Sequence, residues 1–130
     1  MGSVKPRLLD ERRFRLRSVT RRIDLLALED VPDGTMKMAW VDGTDAVIVI
    51  NTDGRLAAYQ GICSHEYFEL DKGFLTAGSL TCALHLSRFD LATGDALDPP
   101  AELPLMMYEV VVEDGRILID IPDGPLPVNE

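Results

Sequence analysis

Cys63-Ser64-His65 and Cys82-Ala83-Leu84-His85 each set a thiol and an imidazole into one tight loop, and sixteen residues, 66 to 81, separate the two runs. Together they contain both cysteines and both histidines of a 130-residue chain. Two matched loops that use every soft ligand in the protein point to one shared metal site.

Two thiolates and two imidazoles suit a single zinc ion, or a 2Fe–2S cluster with two ligands per iron. Structural Cys2His2 zinc sites usually pair Cys with Cys and His with His, with wider gaps between ligands. Here each loop supplies one of each, which suits a two-iron cluster that both loops reach across. The motif Cys-x-His, sixteen residues, Cys-x-x-His resembles that of the Rieske-type ferredoxins. The resemblance covers roughly residues 20–122, and it implies that Cys63 and Cys82 hold the inner iron while His65 and His85 hold the outer one.

The imidazoles have an electrostatic consequence. Two ferric ions are neutralised by two sulfides and two thiolates, and neutral histidines add nothing. With four thiolates the oxidised centre would already be an anion. An electron enters a neutral centre more readily, so the potential rises, to roughly −150 to +300 mV for the class.

A chain of 14.4 kDa with 46% hydrophobic and 27% charged residues fits one soluble globular domain. No apolar run approaches the length of a membrane span, and the start does not read as a secretory signal. With both cysteines given to iron no disulfide is available, which fits a cytoplasmic protein. The net charge of −9 is unevenly spread: residues 1–22 hold eight Lys/Arg against Asp10 and Glu11, and the remainder holds five basic and twenty acidic residues. An acidic body argues against nucleic acid and for a surface that meets basic protein partners.

Residues 1–19 read as a basic N-terminal arm, 20–122 as the cluster domain and 123–130 as a proline-bearing tail. Strands are expected at Ile23–Leu28, Met36–Val41, Ala46–Asn51, Arg55–Gln60 and Leu80–Cys82, then from Arg88, over 105–112 and over 116–121. Asp42-Gly43, Asp53-Gly54 and Asp114-Gly115 supply the positive φ that tight hairpins need. Val47-Ile48-Val49-Ile50 reads as a core strand, and Trp40 and Tyr59 are expected to pack at strand ends. Brief helix is expected only near 29–33 and 66–72. The fold is therefore an all-β antiparallel sandwich or barrel of about eight to ten strands, with the ligand loops as a two-loop tip.

His85-Leu-Ser-Arg-Phe-Asp-Leu-Ala-Thr-Gly94 is similar to the segment that follows the second ligand pair in oxygenase-linked Rieske ferredoxins. By that resemblance Tyr67 and Phe68 cover one side of the cluster, Ser87 donates a hydroxyl to it, and the Pro99-Pro100 loop covers a third side. Phe89 stands where high-potential relatives have a tyrosine. With that donor missing the reduced anion is less stabilised, and a potential low in the class range is expected. The two further cysteines of respiratory Rieske proteins are also missing.

No histidine remains for a mononuclear-iron site, and there is no nucleotide-binding glycine motif. The resemblance therefore implies no catalytic residue. It implies an electron carrier between a flavin-containing, NAD(P)H-dependent reductase and a terminal oxygenase, with no nucleic-acid or membrane partner. Ferredoxins of ring-hydroxylating dioxygenases usually carry Pro after the first Cys and Gly after the second His, where this chain has Ser64 and Leu86. The His85-Leu-x-x-Phe89 pattern is more similar to ferredoxins of toluene-type di-iron monooxygenases, which act on aromatic or alkene substrates. A dioxygenase ferredoxin is the second reading, and a zinc-stabilised interaction module the third.

Overall fold

The computed structural model describes residues 20–43 and 45–122. The basic arm at 1–19 and the tail at 123–130 lie outside the described residues.

Nine strands form two antiparallel sheets among the described residues: β1 Thr20–Ala27, β2 Met36–Val41, β3 Asp45–Thr52, β4 Arg55–Gln60, β5 Phe74–Thr76, β6 Ser79–Thr81, β7 Arg88–Asp90, β8 Met107–Glu113 and β9 Arg116–Pro122. Six of them make one sheet in the order β1-β9-β8-β4-β3-β2, and β5-β6-β7 make a small second sheet. The six-stranded sheet curls into a nearly closed barrel. Its two edges are tied where the Arg21 guanidinium on β1 reaches Asp42, at the end of β2, at 2.7 Å. Among the described residues, no helix is long and apolar enough to cross a membrane.

The hairpins follow from the Asp-Gly pairs. Asp53 and Gly54 have φ of 54° and 85°, so both central residues turn left-handed and Thr52 faces Arg55 across a two-residue loop. Asp114-Gly115 does the same between Glu113 and Arg116.

The apolar run on β3 is buried on both faces, and this organises the molecule. Alternation sends Val47 and Val49 into the barrel core with Val31, Tyr108, Ile117, Ile119 and Ile121. It sends Ile48 and Ile50 to the opposite face, into a second core with Leu70, Leu80, Phe89, Cys63 and Cys82. β4 divides in the same way, with Ala58 in the first core and Tyr59 in the second. Each fully buried aliphatic side chain contributes roughly 1.5–3 kcal/mol relative to exposure. One strand pair thus holds the small sheet and both cysteines against the barrel.

Several expectations are corrected. The first strand begins at Thr20 and stops at Ala27, and Leu28–Asp30 form a 3-10 turn. A second such turn occupies Leu70–Lys72. β5 is an additional strand, three residues long and paired only with β6, too short to stand out from the surrounding turn residues. Cys82 follows β6 and is not within it. β8 starts at Met107 because Gln60 intercepts the chain just before it: the Met106 N–H donates to Gln60 Oε1 at 2.7 Å, and the Gln60 N–H donates to the Met106 carbonyl at 2.8 Å. Trp40 does not pack inward; it lies 43% exposed on edge strand β2, whereas Tyr59 is fully buried.

Candidate metal centre

Both ligand loops close in the same way. The Cys63 N–H donates to the Phe68 carbonyl, and the Cys82 N–H to the Ser87 carbonyl, each at 2.9 Å. A cysteine at the start of a reversal therefore pairs with the residue five positions on, and the intervening residues other than the buried Ser64 are pushed outward. Within each loop the next amides turn back on the sulfur. The N–H groups of His65 and Glu66 bond to Cys63 sulfur, and those of Leu84 and His85 to Cys82 sulfur. Such donors favour a thiolate, the form that binds metal.

The four candidate ligands divide by depth. Both cysteines are free thiols, 2% exposed, at the base of the loops. Their sulfurs share a hydrogen bond, which together with burial holds the Cys63 thiol well above its ordinary range; the same bond, against the effect of burial, draws Cys82 down to about 6. The pair therefore gives up a first proton readily and a second with difficulty until a cation is present. His65 is half-buried and His85 exposed, and their rings stand edge to face with centroids 5.3 Å apart. The structure sets the two cysteines side by side in the interior and the two histidine rings together toward the surface.

This donor set suits a two-iron cluster held lopsidedly, with thiolates buried and imidazoles at the surface. A carboxylate also stands near: Glu66 Oε1 lies 3.4 Å from His65 Nε2, and donor atoms of His65, Glu66 and His85 fall within 4.8 Å of one another. A site built on those three alone would leave two adjacent buried thiols unused.

A third segment, residues 98–106, is tied to both loops. Ser64 Oγ donates to the Leu103 carbonyl at 2.6 Å, and the Ala101 N–H donates to Ser87 Oγ at 3.2 Å. At its start Asp98 takes 2.6 Å and 3.2 Å contacts from the Arg88 guanidinium. Pro99 and Pro100 lie in this segment, Pro99 exposed and Pro100 half-buried. Ser87 is buried with its oxygen used as an acceptor, so its own hydrogen is available to a neighbour. Phe89 is completely buried in the core that contains both cysteines, Phe68 packs against that core, and Tyr67 is 64% exposed.

Sequence reasoning did not single out Gln60, and it read Ser64 only as a departure from the dioxygenase pattern and not as a bridge between segments. Gln60, 2% exposed, donates from Nε2 to the Ile62 carbonyl at 2.8 Å and accepts from Met106. It therefore sets the approach to Cys63. The only signal was a polar residue beside a ligand or at a strand end, which is too common to read.

The Rieske [2Fe-2S] domain family matches residues 21–109. The chain belongs to that family. Its cofactor is one Rieske-type 2Fe–2S cluster, which sets the zinc module aside. The chain is 32% identical over 99 residues to the ferredoxin component of a naphthalene 1,2-dioxygenase system from Pseudomonas aeruginosa, covering 76% of this chain and 94% of that one. It is 37% identical over 106 residues to the ferredoxin component of an alkene monooxygenase system from Xanthobacter autotrophicus, covering 81% and 84%. Among solved structures, the ferredoxin of Sphingomonas yanoikuyae B1 superposes with a TM-score of 0.73 at 30% identity, covering 78% of this chain and all of that one. The first two are ferredoxin components of oxygenase systems and the third is a ferredoxin, and this Rieske domain is likewise an electron-transfer component and not a catalyst.

Proposed function

We propose that this Rieske ferredoxin takes single electrons from an NAD(P)H-dependent flavin reductase and delivers them to a terminal di-iron monooxygenase acting on aromatic or alkene substrates, in the cytoplasm. The observation that carries the reading is the arrangement of the four ligands, two touching thiols sealed in a core and two adjacent imidazoles at the surface. In this reading Cys63 and Cys82 bind one iron and His65 and His85 the other. The bound cluster supplies reversible one-electron chemistry. The residues of the chain do the rest. Four backbone amides stabilise the thiolates against the cost of burial, the second core keeps water from them, and the histidine edges form the side from which a partner is reached.

Ser64 and Leu86 favour the monooxygenase over the dioxygenase reading, since they replace the Pro and Gly of the dioxygenase pattern. The dioxygenase system remains the second reading on the strength of the 32% match to the naphthalene dioxygenase component.

The test is electron paramagnetic resonance of the reduced protein with iron and labile-sulfide analysis. A mixed Cys/His spectrum is expected from the wild type, and its loss or conversion from His65→Ala and from His85→Ala. An intact Rieske spectrum in either variant removes that histidine from the ligand set. Turnover assays with a monooxygenase and a dioxygenase, each supplied with flavin reductase, separate the two oxygenase readings.

A further inference from the structure

Leu86 sits in a conformation that leucine avoids. Its φ is +64°, in the left-handed region where an L residue's Cβ crowds the backbone and where glycine or asparagine is the usual occupant. The turn imposes the angle. The Cys82 N–H bonds the Ser87 carbonyl and the Leu86 N–H bonds the Cys82 carbonyl, both at 2.9 Å, so residues 83–86 must reverse the chain within one tight loop. Nothing inside the protein offsets this strain, because the Leu86 side chain is 60% exposed and belongs to neither core. Strain that serves no packing is the kind of outlier from which a binding role is argued.

Other exposed apolar groups lie on the segments that carry His65 and His85 and on the one tied to them. Tyr67 is 64% exposed, Leu103 41% and Leu84 37%. Tyr67 lies two residues beyond His65, Leu84 and Leu86 flank His85, and the Leu103 carbonyl is bonded to Ser64. The segments at this end, 61–69, 82–87 and 99–106, contain Glu66, Glu69 and Glu102 and no Lys or Arg. Glu69 is paired with Lys72 at 3.3 Å, so Glu66 and Glu102 are the carboxylates that edge a face apolar at its centre, the pattern of a protein-docking surface with a basic counterpart.

We infer that Leu86 is a specificity-determining anchor for the terminal oxygenase, seating in an apolar recess of that partner rimmed by Lys or Arg. The inference rests on the electron-carrier reading above. A second copy of this chain is a poor occupant, because two such faces would oppose carboxylate to carboxylate. The oxygenase is favoured because ferredoxin components of this kind serve a naphthalene dioxygenase system in one relative and an alkene monooxygenase system in another. Those two systems are named for different oxygenases.

The test uses the full, cluster-loaded chain and its Leu86→Asn, Leu86→Gly and Leu86→Met variants, with a terminal di-iron monooxygenase as acceptor and reductase in excess. Asn and Gly tolerate the left-handed angle and remove the apolar group. Both variants are expected to keep the spectrum, the potential and an equal or higher thermal midpoint. KM for the ferredoxin should rise about tenfold with kcat little changed. Leu86→Met, apolar and similar in volume, is expected to restore KM to within about twofold of wild type.

An unchanged KM in Asn and Gly, or a rise seen only in reduction by the reductase, overturns the assignment. So does a lower thermal midpoint with a shifted potential, which would make Leu86 structural. A wild type with its Rieske signal but no saturable donation to this oxygenase also overturns it. A wild type with no Rieske signal instead removes the carrier reading beneath it.

Discussion

Ser64, between the first cysteine and the first histidine, donates its hydroxyl to the carbonyl of Leu103, thirty-nine residues away in sequence, at 2.6 Å. With the Ala101 N–H on Ser87, this contact makes segment 98–106 a bridge between the two ligand loops. Respiratory Rieske proteins join those loops by a disulfide, and this chain joins them by hydrogen bonds through a third segment. Ser64→Ala leaves the Leu103 carbonyl without this donor and should cost about 1–2 kcal/mol in urea unfolding. Amide exchange should quicken across 98–106. Unchanged protection there would show that the segment is held without the serine.

Ser87 and Phe89 test how the surroundings set the potential. Ser87→Ala removes a hydroxyl whose hydrogen is free to donate, so the potential should fall. Phe89→Tyr adds a donor within the core that contains both cysteines, so the potential should rise. Each ~1.4 kcal/mol by which a hydrogen bond favours the reduced over the oxidised centre is worth roughly 59 mV for one electron. Redox titration of both variants checks the signs, and an unchanged or lower value in Phe89→Tyr would defeat the account of the missing donor.

Gly73 and Gly78 should respond differently to alanine. A Cβ on Gly73 would lie 1.9 Å from the Thr81 carbonyl oxygen, so backbone must move against backbone beside Cys82. A loss of about 3 kcal/mol is expected, with less iron retained per chain. At Gly78 a Cβ meets nothing within 4 Å, but φ is +77°, and the expected cost is only about 1 kcal/mol. Equal losses in chemical denaturation would mean that the close approach at Gly73 does not matter.

Tyr59 should limit alkaline stability. Burial of its ring, with Asp90 nearby, pushes its pKa up to about 12, and its hydroxyl donates to the Leu91 carbonyl. Unfolded tyrosine ionises near ~10. The raised folded value means that this stabilisation is complete below the unfolded pKa and is lost as pH climbs through the interval to the folded one. Tyr59→Phe should flatten that decline and cost about 0.5–1.5 kcal/mol near neutrality for the lost hydrogen bond. Urea midpoints at about pH 8 and about pH 11.5 measure both effects, and an equally steep alkaline decline in the variant would assign it elsewhere.

Read by itself, the sequence determined the all-β class, the Asp-Gly hairpins, the Val47–Ile50 core strand and the paired Cys/His spacing. Each of these is written in residues a few positions apart, as alternation, turn chemistry or motif spacing. Tertiary structure alone decided the division of β3 and β4 between two cores, the Gln60 and Ser64 bonds, the outward position of Trp40 and the left-handed Leu86. Those depend on which distant segment arrives opposite a residue. A buried glutamine, a bridging serine and an exposed leucine carry no local pattern, because their partners lie across the fold and their energies arise only once the chain has closed around them.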